Sequence, residues 1–113
     1  MVRVLVTVEP RIYRESVAQS IRRASPGAEV KVVPPDEAEG EIALFRPDLL
    51  VHNDTAKIDE GALVGIPARV EMIYSDSMDA RVTADGMASR LRDMSTEDLF
   101  RTVAVAASLN DPG

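Results

Sequence analysis

The segment Arg46-Pro47-Asp48-Leu49-Leu50-Val51-His52-Asn53-Asp54 constrains this chain most, because three apolar residues follow one another without alternation and then give way to polar ones. A strand with one wet face alternates apolar and polar residues. A run that does not alternate must be covered on both faces, as a central strand of a parallel sheet is when helices lie on either side. The opening run, Val2-Arg3-Val4-Leu5-Val6-Thr7-Val8-Glu9-Pro10, has the same form. Two such strands running side by side deliver Glu9, Asn53 and Asp54 to one edge of a sheet.

The intervening segments fit this arrangement. Pro10 opens a helical pattern in which Tyr13, Val17, Ile21 and Ala24 make an apolar stripe, and Pro26-Gly27 stops it. Glu29-Val30-Lys31-Val32-Val33 alternates as an edge strand should, and Pro34-Pro35 ends it. Asp36 with Glu39 has the spacing of a capping box for a short helix whose inner face is Ala38, Ile42 and Phe45, and which must finish before Pro47. Thr55 to Pro67 reads as a loop with at most one helical turn. Val70, Met72 and Tyr74 alternate with Arg69, Glu71 and Ile73 as a fourth strand. Asp85-Gly86, between Ala80-Arg81-Val82-Thr83 and Met87-Ala88-Ser89-Arg90-Leu91, predicts a tight hairpin, since glycine tolerates the positive φ such turns need. Ser95 caps a last helix that buries Leu99, Val103 and Ala106 with Phe100 and Ala107.

These elements predict an α/β fold: a single three-layer doubly wound domain over residues 1–113, with a mostly parallel sheet of order 2-1-3-4-5, a C-terminal β-hairpin and a final α-helix. Strand order reverses between the first and third strands, where open α/β sheets bind ligands at the carboxyl ends of their strands. The candidate ligand-binding crevice is therefore Glu9, Arg11, Asn53, Asp54, Ser75 and Asp76. Carboxylates at Glu9 and Asp54 can hold a hard cation such as magnesium through oxygen ligands, although turn-forming residues also collect at strand ends for their own reasons.

Composition excludes several classes of function. Thirteen Lys and Arg against nineteen Asp and Glu leave a net charge of -6, which repels a nucleic-acid backbone. Arg11, Arg14, Arg22 and Arg23 read as the solvated face of the first helix. Cysteine is absent, so thiolate chemistry and disulfides are out. His52 is the sole histidine, which rules out a histidine metal cluster and points to a structural role inside a strand. No Gly-x-Ser-x-Gly elbow, phosphate-binding loop or dinucleotide fingerprint occurs. The apolar run from Met1 to Val8 is too short for a signal sequence or a spanning helix, so a cytoplasmic protein without membrane contact is expected.

From Arg46-Pro47-Asp48 to Asn53, and more loosely over nearly the whole chain, the sequence resembles the response-regulator receiver domains. The resemblance implies an acidic pair after the first strand, a phosphorylated aspartate after the third, a Ser or Thr after the fourth and a lysine after the fifth. Here the acidic pair is reduced to Glu9 followed by Pro10, Asn53 fills the acceptor position with Asp54 one residue later, and Ser75 stands where the hydroxyl belongs. The only lysines are Lys31 and Lys57, neither near the fifth strand, and the helix between the fourth and fifth strands is missing. An amide cannot accept a phosphoryl group, and a missing lysine leaves a phosphate's charge unpaired. The resemblance thus implies a degenerate receiver-like domain without catalysis. Such a domain is expected to act in signalling or protein interaction, most simply as a homodimer, through its last helix, its hairpin or an open apolar side of the sheet. The alternative expectation is a small-molecule, anion or magnesium site, or a weak enzyme, in the crevice.

Overall fold

A computed structural model of the protein describes residues 2–8, 11–53, 58, 60–72, 80–84, 87–91, 101, 102 and 105. Strand β1 (Arg3–Val6) is followed by α1 (Arg11–Ala24), β2 (Glu29–Val32), a 3-10 turn (Pro35–Glu37), α2 (Ala38–Phe45), β3 (Leu49–Asn53), the single turn α3 (Glu60–Leu63), β4 (Ala68–Met72), β5 (Ala80–Ala84) and β6 (Met87–Leu91). Arg101, Thr102 and Val105 are helical, and the rest of the expected last helix lies outside the described residues. The strands form one mixed sheet in the order β2-β1-β3-β4-β5-β6. The β1–β2, β1–β3 and β3–β4 pairs are parallel, while β4–β5 and β5–β6 are antiparallel.

Burial follows the patterning of the strands. All five residues of β3 are buried, as a central strand without alternation requires. In the edge strand β2, Glu29 and Lys31 are exposed while Val30 and Val32 are half-buried. Alternation along the strands sorts the apolar side chains into two clusters. Val4, Val6, Leu49, Val51, Ala68 and Val70 pack with Val17, Ala18 and Ile21 of α1. Leu5, Val33 and Leu50 pack with Ile42 and Phe45 of α2 and with Ala62, Leu63 and Ile66 of the α3 region. Each fully buried Val or Leu contributes about 2 kcal/mol relative to an exposed one.

Local chemistry sets the helix ends. Helix α1 carries Arg22 and Arg23 in its last turn, where the helix dipole favours cations, and stops one residue before Ser25-Pro26. Helix α2 ends because Pro47 disfavours right-handed helical geometry at the residue before it. Arg46 instead turns left-handed, at φ 51°, and its N–H donates to the Ile42 carbonyl at 3.1 Å. That conformation costs a non-glycine residue about 1 kcal/mol. The expected Asp36–Glu39 capping box does not form: the chain makes the 3-10 turn first, α2 then begins at Ala38 from Glu37, and no side chain caps either start. Pro34-Pro35 accounts for this, since a proline at the first position of the turn supplies a pre-set φ and has no N–H that needs an acceptor.

β4 and β5 pair antiparallel, which needs no crossover helix, since a chain that reverses direction can return by a short connection. β5 and β6 pair from Ala84 with Met87 outward across Asp85-Gly86, as the hairpin signal predicts. Among the described residues no helix is long and apolar enough to cross a membrane.

Candidate functional site

Two places compete, one at each end of the parallel strands. At the carboxyl end, the Thr7 N–H donates to the Val51 carbonyl at 2.9 Å, which carries the β1–β3 pairing up to the rim. Asn53 closes β3 and is only 5% exposed. Arg11, the first residue of α1, is exposed. Of the predicted crevice residues these two are described. Glu9, Asp54, Ser75 and Asp76, and with them both proposed magnesium ligands, lie outside the described residues. Among the described residues no group of three or more His, Cys, Asp and Glu gathers as a metal site.

The rim holds side chains that motif reading missed. His52 is buried, with its Nδ1 2.9 Å from the carbonyl oxygen of Asn53; a carbonyl only accepts, so Nδ1 carries the proton. Alternation places His52 with Leu50, on the α2 side of the sheet, and Asn53 with Leu49 and Val51, on the α1 side. Thr7 is fully buried, and among the described residues its hydroxyl oxygen has no hydrogen-bond partner. Register continues the row from His52 through Glu71 to Arg81, where Arg81 Nη1 donates to Glu71 Oε2 at 3.2 Å. Counting strand parity from Leu50 would have found this row, because residues in register share a face.

Arg14 corrects the expected solvated face of α1. It is only 8% exposed, and its guanidinium donates to the Val33 carbonyl at 3.4 Å, the last residue after the edge strand β2. Three apolar or small neighbours at helical spacing, Val17, Ala18 and Ile21, draw the stem inward, and the Val33 carbonyl receives the head. Arg22 and Arg23 remain exposed.

The expected open apolar sheet face falls partly on β6, whose side chains lie outside the described residues. Between the inward-packed Val70, Met72 and Val82 stand Arg69, Glu71 and Arg81, which are charged and partly or fully exposed. Among the described residues the large apolar side chains in solvent are Leu44 of α2, 80% exposed, Val64 just after α3, 85% exposed, and Val105, 45% exposed. A groove of about 360 Å³ opens at the amino end of β3 and β4, lined by Ile42, Ala43 and Arg46 from α2, by Asp48, and by Ala62 and Ile66 from the α3 region.

Asp48, the acid of the Pro-Asp motif, has a structural task there. Its Oδ2 accepts the Arg3 N–H at 2.8 Å, its own N–H donates to the Arg3 carbonyl at 2.8 Å, and its carbonyl accepts the Ala68 N–H at 3.2 Å. One buried residue thus joins the starts of β1, β3 and β4. The adjoining edge is closed by Phe45, which has Arg3 and Lys31 over its ring at 6.0 and 5.9 Å.

No protein-family model matches the chain, and neither the curated proteins nor the solved structures yield a significant match. The functional reading therefore rests on this geometry alone.

Proposed function

We propose that the protein is a non-catalytic, degenerate receiver-like domain, a three-layer doubly wound scaffold that serves as a protein-interaction module in signalling and associates first with a second copy of itself. The observation that carries this reading is the pair of large apolar side chains, Leu44 on α2 and Val64 after α3, held almost fully in solvent on one side of the sheet. Large apolar side chains exposed on neighbouring elements of one side favour a partner that covers them. A buried amide at Asn53, where the resembled family carries its phosphorylated aspartate, supports a scaffold whose surface does the work. Light scattering on a size-exclusion column, run from dilute to concentrated protein, tests the reading. A shift from monomer to dimer mass is expected, and a monomer at every concentration would remove it.

A second reading, a small-molecule, anion or magnesium site at the carboxyl rim, draws on the unpartnered Thr7 hydroxyl. A ligand there would supply the missing partner. The complete enclosure of Thr7 weighs against it, since a ligand needs a path to the oxygen. Under this reading magnesium, or a phosphate mimic, stabilises the protein, and Thr7→Val abolishes that response.

A further inference from the structure

An acid and a base, Asp48 and Arg46, line the groove between α2 and the α3 region, and among the described residues neither is neutralised by the other or by a neighbour. Asp48 is only 9% exposed. Its Oδ2 is fixed by the Arg3 N–H and its backbone groups by Arg3 and Ala68, whereas Oδ1 has no hydrogen-bond or ion-pair partner among the described residues. The side-chain oxygens sealed without a partner belong to Thr7 and Glu41, so Oδ1 keeps access to the groove that Asp48 lines. A largely buried carboxylate oxygen is unfavourable until a donor reaches it.

Arg46 presents the complementary case. Its backbone is left-handed, at φ 51°, a conformation that glycine adopts at no steric cost. The guanidinium is exposed and enters no ion pair among the described residues, so no described contact offsets that strain. Only Pro47 separates the two residues, and their Cα atoms are therefore at most about 7 Å apart. A ligand that answers both must carry a cation and an anion close together. Asp48, with the negative end of the α2 dipole beside it, selects the cation. Arg46 is left to receive the anion, and a guanidinium fork suits a carboxylate. The remaining wall, with Ile42, Ala43, Ala62 and Ile66, takes an aliphatic body and no further charge. Its volume of about 360 Å³ falls at the small end of ligand pockets.

We propose that this groove binds a free aliphatic α-amino acid, whose ammonium donates to Asp48 Oδ1, whose carboxylate pairs with Arg46, and whose side chain lies against Ile42, Ala62 and Ile66. The site is at the opposite end of the strands from the polar rim and does not depend on self-association.

Calorimetric titration of the whole chain with L-leucine tests this, beside two analogues that each lack one charge, isoamylamine and isocaproate. Leucine should bind once per chain, and each analogue about tenfold or more weakly by comparison. Arg46→Gly removes the guanidinium and relieves the positive φ, so it should unfold at a higher temperature than wild type yet bind leucine about tenfold or more weakly. Asp48→Asn removes the other charge and Ala62→Phe fills the groove; both should lose binding, with circular dichroism to check the fold. Should Asp48→Asn fail to fold, the analogues and Arg46→Gly still decide the matter. No leucine binding by titration or thermal shift would overturn the proposal. Isocaproate binding as well as leucine would remove the role of Asp48, isoamylamine binding as well would remove that of Arg46, and either result would overturn an amino-acid site. An Arg46→Gly variant less stable than wild type would show that Arg46 turns onto Asp48 as an ion pair, which leaves the ligand no place.

Discussion

The two ends of the parallel strands invite opposite readings from opposite kinds of residue. At the carboxyl end Arg11 is exposed but Thr7, His52 and Asn53 are enclosed, and His52 turns its Nδ1 onto the backbone carbonyl of Asn53 in its own strand. At the amino end the one conspicuous acid, Asp48, is consumed in joining three strands, while a groove opens between α2 and the α3 region and Leu44 and Val64 stand exposed on the same side of the sheet. A polar residue at a strand end is therefore a poor guide to function by itself. What distinguishes the ends is whether side chains are committed to their neighbours or left facing solvent.

The contrast can be broken most forcefully at Asp48. Asp48→Ala removes a charge-assisted acceptor and strands the Arg3 N–H, so denaturant unfolding should show a loss of about 2 to 3 kcal/mol with a smaller loss for Asp48→Asn. A loss below 0.5 kcal/mol, about the scatter of surface substitutions, would show that the amino end is not pinned there.

Thr7→Val probes the other end with the opposite sign. Replacing an unpartnered buried hydroxyl by a methyl of the same shape should stabilise the protein by about 1 kcal/mol. Destabilisation of that size would mean that Oγ1 has a partner, and the enclosed rim would become the better site. Gly40→Ala should raise the stability of the monomer at low protein concentration by about 0.5 to 1 kcal/mol, because the helix gains propensity and the new Cβ meets nothing. No gain there would indicate that Gly40 is needed inside the protomer. The smallest effect belongs to the exposed Arg81–Glu71 pair, where Arg81→Ala should change stability by no more than about 0.5 kcal/mol and less still in high salt. A larger change would make the row from His52 to Arg81 a coupled network.

The strands were legible because burial imposes a period. Leu49-Leu50-Val51 had to be covered on both faces, Glu29 to Val32 on one, and Asp85-Gly86 had few uses other than a hairpin. Strand order followed from the same patterning. Capping was less legible: Asp36 and Glu39 have the right spacing, but Pro34-Pro35 gives the backbone another way into α2. Arg14 was misread because charge suggests solvent, while a long apolar stem lets the head reach the Val33 carbonyl at the sheet edge. The groove could not be read at all, since it depends on how α2 and the short α3 turn sit relative to each other. Leu44 and Val64 look in sequence like any core residues. Only their exposure marks them.

The most direct test of the central claim, that the helical face of α2 works and the strand rim does not, is the thermal unfolding midpoint measured from low to high protein concentration, with and without magnesium and beryllium fluoride. The account predicts a midpoint that rises with concentration and ignores the salts, because a dimer is stabilised by mass action. A midpoint that is independent of concentration and rises with both salts would contradict it and return the function to the crevice.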